Sequence, residues 1–352
     1  MSVGKVLTVL GPVDPQDLGV VLPHEHLFLQ LDNWFVSPQT EEERIFSHSP
    51  ITMENLAAVR YRPYSHWDNI RIDDQDTVLA EVAAFKRVGG GTIVDLTPPA
   101  IGRNPEGLRA VAERTGVRVV AGCGYYVQTS HPPEVAAMEV EQLAEAIIAE
   151  LQRGIGNTGV RPGVIGEIGT TYPISRDERK VLQGAALAHR RTGAPISVHL
   201  SSADLTYAHD VLDILEEAGT DLVKVALGHL DGSHPIDAQA HSRIAARGAY
   251  VEYDIFGSPE FSEDGLWLPP PSDHERIDAA LALWEAGHGE RLLLSHDVCT
   301  KMQQRAYGGF GFAHLPGHVA PLMRVQGIPD ENIETMLVRN PARWLTWGQA
   351  AE

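Results

Sequence analysis

Eight short apolar runs recur along this chain, and a stretch of helical periodicity follows each one. The runs occupy residues 20–27, 92–97, 117–122, 163–169, 195–200, 223–230, 249–256 and 291–298. Helical patterning fills 76–88, 105–114, 137–153, 176–191, 203–218, 236–247 and 273–286, and a last helical region runs from about 329 to 347. Strands alternating with helices at this spacing read as parallel β/α units. Eight of them in one chain favour a closed α/β architecture, a (β/α)8 TIM barrel, over an open sheet. The runs are rich in Val, Ile and Leu, as expected of strands covered on both faces. A doubly wound open sheet would need a glycine-rich phosphate loop after an early strand. Gly89-Gly90-Gly91 instead precedes a strand and reads as a helix stop.

Two segments fall outside the repeat. Residues 1–19 read as a short hairpin turning at Gly11-Pro12, and residues 30–72 form a long insertion after the first strand. Trp34, Phe35, Tyr61, Tyr64 and Trp67 in that insertion argue for a packed flap. The 352 residues, 43% hydrophobic, suffice for one large barrel domain spanning 1–352. The formal charge of −19 makes phosphate backbones and anionic lipid poor partners, so nucleic-acid and membrane-surface binding are not expected. Two cysteines, Cys123 and Cys299, make no disulfide framework, and no signal peptide or membrane-crossing run stands out. The expectation is a soluble, cytoplasmic protein acting on a small molecule.

Sixteen histidines are present, and what matters is where they fall. Barrel active sites lie at the C-terminal ends of the strands. The first run ends His24-Glu25-His26, the fourth contains Glu167, the fifth ends at His199, the sixth reaches His229, and the eighth ends His296-Asp297. Residues two apart on a strand share a face, so His24 and His26 can both point inward. Taken singly, each histidine is an ordinary strand-end residue. As a set, four histidines and two carboxylates converge on one mouth, and such donors suit zinc and similar ions. His296 adjoins Asp297, should point the other way, and reads as structural. Asp231 either orients a ligand or is simply solvated.

These residues carry a resemblance. The opening KVLTVLGPVDPQDLG, then LPHEH, GVIGEIG, GHLD, SHD and the closing NPARWL are similar to the phosphotriesterase family of the amidohydrolase superfamily over nearly the whole chain. SHDVCTK, YGGFGF and VEYDIFG resemble its branch of phosphotriesterase-related, or resiniferatoxin-binding, proteins. The resemblance implies two divalent metal ions, zinc being expected: His24, His26 and Asp297 on the first, His199 and His229 on the second. Founding members bridge the pair with a carboxylated lysine. No lysine occurs between Lys86 and Lys180 here, and Glu167 stands at the matching position. Founding members also place a histidine on strand seven where this chain has Ile255. The proton route beyond Asp297 therefore stays open among Asp254, Tyr253 and water, and Asp254 is equally readable as a structural acceptor.

The implied mechanism is hydrolysis by a metal-bridging hydroxide, with Asp297 both ligand and base. Tyr126, Tyr253, Lys301 and Arg176 are the candidate substrate contacts, with Tyr125, Arg103 and Tyr307 also near the mouth. The branch implies an N-acyl amide substrate such as N-acetyltaurine, whose anionic tail would suit Lys301, Arg103 or Arg176. Lactonase or phosphotriesterase activity is the runner-up, and a non-catalytic small-ligand binder is the competing class. The resemblance also implies a homodimer.

Overall fold

The computed structural model describes residues 3–201, 204–232, 234–258 and 270–350. A hairpin of β1 (Val6–Thr8) and β2 (Gly11–Val13) opens the chain, and β3 (Val20–Glu25) begins the barrel. The insertion follows: β4 (Leu29–Gln30) pairs antiparallel with β5 (Arg71–Ile72), with α1 (Glu41–Ser47) and α2 (Leu56–Tyr61) between them. It is a packed flap. Phe35 meets Trp67 edge-on at 4.9 Å, and Asn69 accepts Met302 N (2.9 Å) from far along the chain.

The β/α units then run in order: α3 (Gln75–Arg87), β6 (Gly90–Asp95), α4 (Pro105–Thr115), β7 (Arg118–Cys123), α5 (Val140–Arg153), β8 (Val164–Thr170), α6 (Arg176–Thr192), β9 (Ile196–Leu200), α7 (Leu205–Glu217), β10 (Val225–Leu227), α8 (Ala238–Ala246), β11 (Tyr250–Tyr253), α9 (Asp273–Leu283) and β12 (Leu292–Leu294). The helices begin where the sequence supplies caps. Asn104 accepts Gly107 N ahead of Pro105, and Ser175 and Ser272 form capping boxes with Glu178 and Glu275. The last helical region is interrupted: α10 (Ala320–Val325), α11 (Asp330–Glu334) and α12 (Asn340–Leu345) are short pieces joined by wider turns. None of the described helices is long and apolar enough to cross a membrane.

Strands β3 and β6 to β12 form one eight-stranded sheet of parallel neighbours in chain order. The seam between β12 and β3 is closed by side chains as well as backbone. Asp297 N donates to His24 O (3.2 Å), and His24 N donates to Ser295 Oγ (3.1 Å). The Glu25 carboxylate accepts Ser295 Oγ, His296 N, His296 Nδ1 and Val298 N, all within 3.0 Å. The middle residue of the His-Glu-His run is thus the clasp of the barrel.

Strand alternation sorts two apolar clusters. Val21, Val94, Val120, Val164, Ala226 and Leu293 fill the barrel interior with Trp344 of α12. Their neighbours Leu22, Ile93, Val119, Ile165, Val225 and Leu292 belong to the larger cluster shared with the helices. Trp344 Nε1 donates to Ile196 O and Lys224 O, at the N-terminal ends of β9 and β10, so α12 plugs the bottom. The top is left to polar side chains.

Candidate metal centre

The upper ends of the strands depart from regular geometry where the site begins. The runs expected at 223–230 and 291–298 form ladders only over Val225–Leu227 and Leu292–Leu294. Beyond them His229 and Asp297 take positive φ, +62° and +48°, the only non-glycine residues to do so among those described. Left-handed backbone costs a residue with a Cβ about 1–3 kcal/mol, so surrounding bonds must impose it. His229 N is gripped by both oxygens of Asp254 at 3.0 Å, and Asp297 N by His24 O. The result turns both side chains into the mouth.

Four imidazoles and two carboxylates meet there. Glu167 Oε2 lies 3.4 Å from His24 Nε2, 3.2 Å from His199 Nδ1 and 3.9 Å from His229 Nε2, while Oε1 lies 3.4 Å from His26 Nε2. Asp297 Oδ1 is 3.2 Å from His26 Nε2. His229 Nε2 and His199 Nδ1 face each other at 2.8 Å.

The outer nitrogens fix the tautomers. His26 Nδ1 donates to Thr97 Oγ1 (2.8 Å), whose own proton goes to Phe28 O. Asp254 lies beside His24 Nδ1 and His229 Nδ1, at 3.1 and 3.0 Å. Glu252 Oε2 is also near His24 Nδ1 (3.2 Å). Carboxylates on the back of ligating histidines aim the other nitrogen and make it more basic. Asp254 therefore orients the pair from behind, which is the structural reading of that residue. Gly228 makes room for it: a Cβ there would stand 2.9 Å from Asp254 Oδ2.

This donor set fits divalent cations. His24 Nε2, Glu167 Oε2 and Asp297 Oδ1 are buried without hydrogen-bond partners, and all three face the same gap. Burial opposes charge on every member. Even so, neighbouring imidazoles hold Glu167 and Asp297 below the ordinary carboxylate range, and neighbouring carboxylates hold His24 and His229 above the ordinary imidazole range. A cluster of carboxylates this deep requires positive charge. Among the described residues three groups could supply one cation with three ligands: His24–His26–Glu167 and Glu167–His199–His229, which share Glu167, and His24–His229–Asp254 behind them.

A family model described as the phosphotriesterase family matches residues 4–345. The chain belongs to the phosphotriesterase family. It is 39% identical to the N-acetyltaurine hydrolase of Danio rerio over 346 residues, covering 98% of each chain. It is 37% identical to that of Homo sapiens, also over 98% of each. Among solved structures, a resiniferatoxin-binding protein from Rhodobacter sphaeroides superposes with a TM-score of 0.94 at 40% identity, covering 98% of this chain and 97% of that one.

In this phosphotriesterase-family chain a cavity opens above the cluster. His26, Glu167, His199, His229 and Asp297 form its floor. Its walls are mostly apolar, with Leu31, Trp34 and Tyr64 from the flap facing Ile255 and Met302. Tyr126 lines it as expected, its hydroxyl accepting from Trp34 Nε1 (3.3 Å) and lying 3.4 Å from His199. Gly169 permits this approach, since a Cβ there would collide with the backbone of Tyr126 and Val127.

The other three expected substrate contacts are corrected. Tyr253 lies on the outward-facing side of β11, and its hydroxyl is hydrogen-bonded with His241 Nδ1 of α8 (2.9 Å). Lys301 is buried against Asp68 (2.6 Å) and Asp73 (3.6 Å) and ties the flap down. Arg176 is exposed at the start of α6, away from the cavity. Arg103 is likewise taken, by Glu150 at 2.7 Å. His296 is structural, as its position suggested: Nδ1 donates to Glu25 and Nε2 accepts Leu315 N. Asp231 is neither solvated nor a ligand partner. It accepts the backbone N–H groups of Asp254 and Ile255 and pairs with Arg276 of α9. Glu25, Thr97, Glu252 and Arg276 gave no sign of these roles in the sequence, because each acts through a partner far along the chain.

Proposed function

We propose that this chain is a binuclear metal-dependent hydrolase cleaving a carbonyl substrate, an N-acyl amide of the N-acetyltaurine type. The observation that carries the reading is Glu167, whose two oxygens lie among four imidazole nitrogens from three strands, with Asp297 at the edge of the same gap. His24, His26 and Asp297 would hold one cation, His199 and His229 the other, and Glu167 would join them, zinc suiting the nitrogen-rich set. Cations held there would supply Lewis acidity to the substrate's carbonyl and would bring the pKa of an attacking water toward neutrality.

The chain's own residues do the rest. Asp297, partly open to the cavity with Oδ1 unpartnered, accepts the proton of the attacking water. It then returns that proton to the leaving nitrogen, without which an amine leaves poorly. Asp254 keeps His24 and His229 aimed throughout. The apolar flap residues exclude bulk water from the cavity. The names of the relatives support an amide as the bond cleaved, and glutamate in place of lysine with Ile255 in place of histidine sets the chain apart from the triesterases.

The test compares kcat/KM on zinc-loaded protein for N-acetyltaurine and N-acetyl amino acids, a panel of lactones, and an aryl dialkyl phosphate. N-acyl compounds should lead. A phosphate ester ahead by tenfold or more overturns the substrate class. A lactone in the lead replaces the amide and leaves the roles of Glu167 and Asp297 standing.

A further inference from the structure

The cavity above the candidate metal centre shares part of its wall with a neighbouring one. Ser258, Met302 and Gln303 also border a second cavity, between α2, the start of α9 and the turn at 308–310. The two spaces differ in chemistry. No Lys or Arg borders the inner one among the described residues. The undescribed positions 1–2, 202–203, 233, 259–269 and 351–352 contain neither residue type. An anionic group held among Leu31, Trp34, Ile255 and Met302 would have no basic side chain to meet it, and an unpaired buried anion is costly.

The outer cavity does present a cation. Arg60, on α2, borders it, and its Nη2 donates to Gly308 O (2.6 Å), which fixes the guanidinium on the wall. Among the described residues Arg60 has no carboxylate partner. Asp273 also borders this space, but its carboxylate is engaged by His314 Nε2 (2.6 Å) and Gly257 N (2.9 Å). Tyr61 and Phe310, 45% and 57% exposed, supply an apolar rim. A planar guanidinium with free donors recognises carboxylates and sulfonates well.

We propose that the outer cavity is a subsite for the far end of the substrate and that Arg60 binds an anionic group there, a carboxylate or sulfonate. The reacting carbonyl lies at the metal centre, an uncharged body fills the inner cavity, and the chain passes Met302, Gln303 and Ser258 to bring its anion to Arg60. This rests on the carbonyl-hydrolase reading above and specifies the substrate class further: N-acyl compounds whose anion is separated from the amide by a spacer.

The test pairs 6-acetamidohexanoate with N-hexylacetamide, which has the same length and no charge, and adds N-acetylglycine, whose carboxylate is one carbon from the amide. For Arg60→Gln the ratio of kcat/KM, hexanoate over hexylacetamide, should fall about five- to tenfold through KM, the size of one moderately shielded ion pair. Arg60→Lys should recover most of it, and the loss for N-acetylglycine should be smaller than for the hexanoate. Calorimetry gives a reading independent of turnover: Kd for 6-acetamidohexanoate should rise by a similar factor from Asp297→Asn to the double variant Asp297→Asn/Arg60→Gln. Equal losses for the charged and uncharged compounds, or an unchanged Kd, would overturn the subsite. If wild type hydrolysed neither these compounds nor any of the panel above, the hydrolase reading would fail on its own, and the calorimetric pair would still decide the role of Arg60.

Discussion

Two residues hold conformations they would not choose. His229 and Asp297 sit in the left-handed region, and both deliver a side chain to the candidate metal centre. Each is held there by a bond to the neighbouring strand, to Asp254 and to the backbone of His24. Strain of this kind persists only where its surroundings over-determine it. Asp297 has one oxygen near His26 and remains 19% exposed toward the cavity, the placement a base requires. Asparagine keeps the shape and cannot accept a proton. Asp297→Asn should therefore lower kcat at least about 100-fold, while the cation on the His199–His229 side stays bound. Single-turnover kinetics beside elemental analysis checks both halves, and a variant retaining most of its kcat would remove Asp297 from the role. The identity of these residues could be read from the sequence. Their backbone conformation could not, because it is imposed by partners as much as 273 positions away.

At the scale of elements, alternation along a strand decides which residues reach the site. On β11, Tyr250 joins the interior cluster and Glu252 reaches His24, so Tyr253 must face α8. There its hydroxyl meets His241, which burial pushes down to about 4 from an ordinary 6.5. The sign follows from linkage. Between those values the unfolded chain binds a proton that the folded chain refuses, so stability is full above about 6.5 and is lost as pH falls toward 4. This pair should cost the protein about 2 kcal/mol between pH 7 and pH 5. His241→Gln keeps an acceptor for Tyr253 and removes the titration. Its urea midpoint should fall less than that of wild type over the same interval, and parallel curves would show that His241 does not titrate as described. Lys301 and Arg176 fail as substrate contacts for a related reason. Proximity in sequence to a strand end does not say what a long side chain pairs with, and the flap's Asp68 and Asp73 claim Lys301 before any ligand can.

For the whole molecule, the barrel and the site depend on each other. The Glu25 clasp closes the seam between β12 and β3, and the same seam fixes His24, His26 and Asp297 relative to one another. Cations joining β3, β8, β9 and the ends of β10 and β12 would tie most of the sheet together at its open end. Elemental analysis of supplemented protein should find about two divalent ions per chain, and Glu167→Ala should lose at least one of them. Chelation should lower the melting temperature, since a ligand that binds only the folded state stabilises it. One ion or none in supplemented wild type would exclude the binuclear arrangement.

The sequence by itself determined the barrel, because eight apolar runs separated by helical stretches leave few other ways to bury both faces of a parallel sheet. It also singled out the proposed ligand set, since His24, His26, Glu167, His199, His229 and Asp297 each fall at the same end of a run, and strand order carries that end to one mouth. The tertiary structure decided what periodicity cannot express. Glu25 and Asp254 find their partners only once the barrel closes, Arg276 and Asp231 pair only when α9 packs against the end of β11, and the flap's return over the mouth sets the cavity walls. Those contacts depend on distances between segments far apart in the chain, and a one-dimensional pattern carries no record of which polar side chain will meet which.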